Sequence, residues 1–128
     1  MSSNYRPEEL AEAIRAFKSS IGKCEKAQIK LKENSPQRKW VNRQLEAYYI
    51  AVSLIEKMAD DEKRVDKLYT EPELSNAAKT IEQLIVRCEM LPTKFKNGSP
   101  QNTLALRRLS AFRLAAALIK GEMAEYAG

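Results

Sequence analysis

The chain has 128 residues, the length of one domain, with 44% apolar and 30% charged residues and a formal net charge of +5. Aromatics (7%), glycine (4) and proline (5) are too sparse for an all-β fold or for a disordered segment. Histidine is absent, which removes the commonest general base and the commonest zinc ligand.

Near the N-terminus, Met1-Ser2-Ser3-Asn4-Tyr5-Arg6 is followed by no apolar run, so no signal peptide is expected. The first periodic segment places Leu10, Ile14, Phe17, Ile21, Cys24 and Leu31 at three- and four-residue spacings and predicts an amphipathic helix. Glu33-Asn34 breaks it with turn chemistry. Ser35 is the expected N-cap of a second helix: its hydroxyl accepts an orphan amide of the first turn, and Pro36 stands where a missing N–H costs nothing. That helix carries Val41, Leu45, Tyr48, Val52 and Ile55 on one face, with Tyr49 and Ile50 as candidates for a second apolar face that self-association would cover. A charged, helix-friendly linker follows over 59–69, into which the second helix is expected to overrun. Thr70-Glu71-Pro72-Glu73 reads as a capping box starting a third helix. Pro92 should kink or end that helix near Leu91.

The second half repeats the first. Displaced by 64 residues, Cys24-Glu25 falls on Cys88-Glu89, Ser35-Pro36-Gln37 on Ser99-Pro100-Gln101, and Ala47 and Ala51 on Ala111 and Ala115. Between Tyr5/Tyr69 and Met58/Glu122, 18 of 54 pairs are identical without a gap. The third helix repeats the stripe as Leu74, Ala78, Ile81, Ile85, Cys88 and Phe95; Ser99 is the second expected N-cap; the fourth helix carries Leu104, Leu109, Phe112, Ala116 and Ile119. The reading is a tandem duplication, repeat 1 over 5–58 and repeat 2 over 69–122. One helical hairpin cannot bury its apolar face alone, but two can, so the expected fold is an all-α, up-down four-helix bundle with a pseudo-two-fold axis.

Lys23-Cys24-Glu25-Lys26, Leu31-Lys32, Ser35-Pro36-Gln37, Asn42-Arg43 and Leu54-Ile55 resemble a family of small uncharacterised bacterial helical proteins. These carry a lysine-cysteine-glutamate-lysine helix, a glycine-serine-proline-glutamine turn and an arginine- and leucine-rich second helix. The resemblance covers both halves: Asn97-Gly98-Ser99-Pro100-Gln101 is closer at the turn, and Lys23-Cys24-Glu25-Lys26 at the helix. It implies a cytoplasmic bacterial protein and no particular activity.

No catalytic motif emerges. The four glycines stand apart, so there is no phosphate loop. Cys24 and Cys88 lie on apolar stripes with no histidine to activate them; they read as core residues in a reducing compartment, with no cofactor and no metal. No run approaches the roughly 18 apolar residues of a membrane helix, so no membrane partner is expected. The chain therefore reads as a non-enzymatic, protein-binding or self-associating module.

Charge is unevenly placed. Residues 15–43 carry a net +7 and residues 79–107 a net +3, while acids gather near the termini and in the linker. In an up-down bundle both hairpin turns share one pole, so Lys30, Lys32, Arg38, Lys39, Trp40, Lys94, Lys96 and Arg108 form a candidate surface for an acidic partner, or alternatively for nucleic acid. Opposite positions across each hairpin sum to about 68 in the first copy, which predicts interhelical ion pairs Glu25–Arg43 and Glu89–Arg107.

Overall fold

The computed structural model describes residues 5–59, 69–90 and 94–127. Among them are four helices and no strand: α1 (Pro7–Lys30), α2 (Pro36–Ala59), α3 (Glu71–Glu89) and α4 (Pro100–Ala127). The expected linker helix, the acids of the linker and Pro92 lie outside the described residues.

Each helix begins as its sequence dictates. Ser35 Oγ accepts the Arg38 N–H at 3.2 Å, and Ser99 Oγ accepts the Asn102 N–H at 3.1 Å, so both expected caps form at the same displacement of 64. At α3, Thr70 Oγ1 accepts from the Glu73 N–H, and the Glu73 carboxylate takes the Thr70 N–H at 2.9 Å, completing the box. α3 ends at Glu89. Phe95 therefore sits beyond the helix, 37% exposed, rather than on its apolar stripe. Gly98, with φ at +80°, supplies the left-handed residue of the second turn.

α1 packs on α2 and α3 on α4, and the hairpins join through α1 with α4 and α2 with α3. α2 and α4 also meet across the bundle centre. Their alanine stripe allows this approach: Ala47, Ala51, Ala111 and Ala115 are all buried. Beside it lie the large side chains. Phe17 is fully buried, with its ring centroid 5.6 Å from those of both Tyr48 and Phe112, which stack on each other at 6.0 Å and nearly parallel. Tyr48 and Phe112 are equivalent positions in the two halves. Ile81, the equivalent of Phe17, is also fully buried.

Three expectations are corrected. Ile50 is buried and belongs to the core, so it offers no second apolar face; Tyr49 alone is exposed. In α4 the core position falls to Ala105 instead of Leu104, which is 44% exposed. The ion pairs Glu25–Arg43 and Glu89–Arg107 do not form. Glu25 instead accepts the Tyr49 hydroxyl at 2.9 Å, and Glu89 pairs with Arg113 at 3.2 Å. The longitudinal register was sound, since Cys24 faces Gln44, a pair that sums to 68. The azimuth was not. Glu25 is about 100° around the helix from Cys24, and six residues separate Arg43 from Tyr49, which turns Arg43 away from α1 toward α3.

The pole opposite the tips is held by polar contacts. Lys57 and Glu122 pair at 2.8 Å with side chains only 12% and 15% exposed. The Tyr69 hydroxyl donates to Ser53 Oγ at 2.8 Å, and the Tyr126 hydroxyl donates to the Tyr69 carbonyl. These bonds tie α2, α4 and the start of α3 together.

Phe17→Ala should cost about 3–5 kcal/mol, the loss expected for a fully buried aromatic side chain, measured by urea unfolding followed by circular dichroism. Ala115→Leu should cost about 1–3 kcal/mol, because it forces α2 and α4 apart.

Candidate functional site

The two hairpin tips lie at one pole. The Arg87 guanidinium, near the end of α3, sits 5.0 Å over the ring of Trp40, near the start of α2. Trp40 is half-buried against the core, and its ring face is occupied by this cation. It is a rim residue of the bundle and not a free stacking platform.

The other candidate residues divide into two groups. Arg38 is half-buried and donates to the Leu31 carbonyl at 3.2 Å, satisfying an orphan carbonyl just past the end of α1. Arg108 is half-buried and close enough to Cys88 and Tyr48 to act on their titration, which places it toward the bundle interior. These two cations serve the fold. Lys30, Lys32, Lys39, Lys94 and Lys96 are exposed, and none is ion-paired among the described residues.

Helix dipoles reinforce this pole. The first turns of α2 and α4 contain no acidic residue, so their positive ends are left uncompensated. The negative ends of α1 and α3 arrive at the same pole with Lys30 and Arg87 in their last turns. At the opposite pole the first turns of α1 and α3 carry Glu8, Glu9, Glu71 and Glu73. Apolar side chains break the surface around the tips: Ile29 is 82% exposed and Val86 65%, with Phe95 in the second turn. The sequence reading missed Ile29 and Val86 because both fall off the apolar stripes from which it took its core.

Arg43 and Arg107, expected in hairpin ion pairs, instead line lateral grooves. Arg43 faces Lys79 and Thr80 between α2 and α3. Arg107 faces Glu12 and Arg15 between α1 and α4. Displaced by 64, every lining residue of the α2/α3 groove falls on a lining residue of the α1/α4 groove.

Neither cysteine is placed for catalysis. Cys88 is buried and Cys24 half-buried; both are free thiols, and burial raises both above the usual thiol range. Burial pushes the Tyr48 phenol up as well. Among the described residues no group of three or more His, Cys, Asp or Glu side chains is placed to hold a metal ion, and no helix is long and apolar enough to cross a membrane. No family model, no curated protein and no solved structure matches this chain.

The folded chain holds the thiol protons more tightly than the unfolded chain. Their stabilising effect is therefore whole below about pH 8.5 and is lost as the pH rises past it. Urea midpoints should stay level between neutral pH and that point and then fall. The fall should be shallower in Cys24→Ala/Cys88→Ala; the remainder follows from Tyr48, whose shift acts in the same direction above about pH 10.

Proposed function

We propose that this chain is a non-catalytic helical interaction module of the bacterial cytoplasm, built by tandem duplication of one hairpin, that binds a protein partner through its hairpin-tip pole. One observation carries the reading. Five exposed lysines without ion pairs surround Ile29, Val86 and Phe95 at the pole where two helix N-termini lack acidic residues. Such a surface suits a partner with apolar side chains set among carboxylates. The equivalence of caps, core positions and grooves at a displacement of 64 supports the duplication. The free, buried cysteines support a reducing compartment.

The same five lysines support a second reading, nucleic-acid binding at this pole. The two separate by their dependence on apolar contacts and on salt. Protein binding through the tips should be lost in Ile29→Ser/Phe95→Ser and weakened only modestly by salt. Nucleic-acid binding should survive that substitution and fall steeply with salt, disappearing when Lys30, Lys32, Lys39, Lys94 and Lys96 are changed together to Glu. Partners cross-linked in cells to the wild-type chain and to both variants, together with binding to duplex DNA and single-stranded RNA over a salt series, test the proposal. If both variants retain every wild-type partner, the tip pole is not the binding surface.

A further inference from the structure

The two lateral grooves are equivalent in position but not in filling. The α2/α3 groove, about 510 Å³, is lined by polar side chains over Ala47 and Ala77. At its tip end Trp40 is covered by Arg87, and the adjoining Asn42 accepts the Gln28 side-chain amide at 2.7 Å. On the opposite side of the bundle these two positions are Leu104 and Leu106, exposed by 44% and 47%. Around them Thr80, Gln83 and Glu46 are replaced by the smaller Ala16, Ser19 and Ser110. The result is an open trough between α1 and α4 of about 560 Å³, continued past Arg107 by a further 210 Å³. It runs from Tyr5 to Ser19 along α1, roughly 20 Å at the α-helical rise.

We infer that this α1/α4 face is the interface of a two-fold dimer, with a second copy of the chain packed along the trough. Two observations select a second copy over a foreign segment. The first is α4 itself. Its apolar residues lie around its whole circumference, the pattern of a helix enclosed on all sides, yet one side of it stays open to solvent. A copy of α4 laid beside it encloses both. The second is charge. The trough presents Arg15 and Arg107 together with Glu12, all exposed and none ion-paired among the described residues. A two-fold interface needs a patch complementary to itself, and a face carrying both signs around apolar side chains meets that need. A uniformly acidic partner would be opposed by Glu12. This makes specific the self-associating form of the module proposed above, on a face separate from the tip lysines, so the two readings fail independently.

Sedimentation velocity and light scattering on the full chain, from micromolar to millimolar concentration, provide the test. The wild-type protein should show twice the 14.6 kDa mass of one chain. Leu104→Glu/Leu106→Glu should weaken the dimer about tenfold or more while leaving the helical circular dichroism and melting temperature unchanged, since both side chains are exposed. Asn42→Glu, at the equivalent position on the filled side, and the five-lysine variant should keep the wild-type mass. A wild-type chain that is monomeric throughout overturns the inference and leaves the trough to a foreign helix. A dimer that survives Leu104→Glu/Leu106→Glu, or that Asn42→Glu or the lysine variant dissolves, overturns the assignment of the face.

Discussion

The bundle depends on the close approach of α2 and α4 across its centre. Each hairpin has an apolar face that α1 or α3 covers only in part, and a second hairpin is the nearest surface able to complete the burial. Ala47, Ala51, Ala111 and Ala115 bring the two helix backbones together, and the space beside them is filled by Phe17 against the Tyr48–Phe112 stack. Larger residues in the alanine stripe would separate these helices and open voids around the aromatic cluster. Small and large side chains are thus complementary here, and each requires the other.

From that packing follows the arrangement of charge. Pairing antiparallel hairpins about the α2–α4 contact puts both turns at one end and the starts of α1 and α3 at the other. Helix ends that would cancel in a neutral antiparallel bundle are then biased by side chains. Lys30, Arg38 and Arg87 attend the carbonyl ends at the tips, while acids crowd the amide ends at the far pole. Polar groups at the far pole are consumed by the fold, as in Lys57–Glu122 and the Tyr69 and Tyr126 bonds. The exposed tip lysines have no such employment.

Where the two halves agree, the residues serve the fold: caps, alanines, and the core positions of all four helices. Where they differ, the surface changes character. Tyr49 and Arg113 both engage the equivalent glutamate, one by a hydroxyl and one by an exposed ion pair of small energetic weight. Trp40 and Leu104 diverge further, since one is shielded by a cation and the other faces solvent. Departures from the internal repeat therefore mark where the chain has been shaped for something other than its own packing.

By itself the sequence determined the helices, their serine and threonine caps, the four-helix fold and most of its core, because these depend on periodicity and on contacts within a few residues. Leu10, Phe17, Tyr48, Leu74, Ile81 and Phe112 were legible as core from spacing alone. Tertiary structure decided what depends on rotation about a helix axis. It turned Arg43 and Arg107 out of the hairpins into lateral grooves, drew Ile50 inward, and gave the core position of Leu104 to Ala105. It also assigned Arg38 and Arg108 to the fold and left the five lysines to the surface. The physical reason is that spacing along one helix fixes which residues share a face, whereas the direction of that face is set by the neighbouring helices, which approach from elsewhere in the chain.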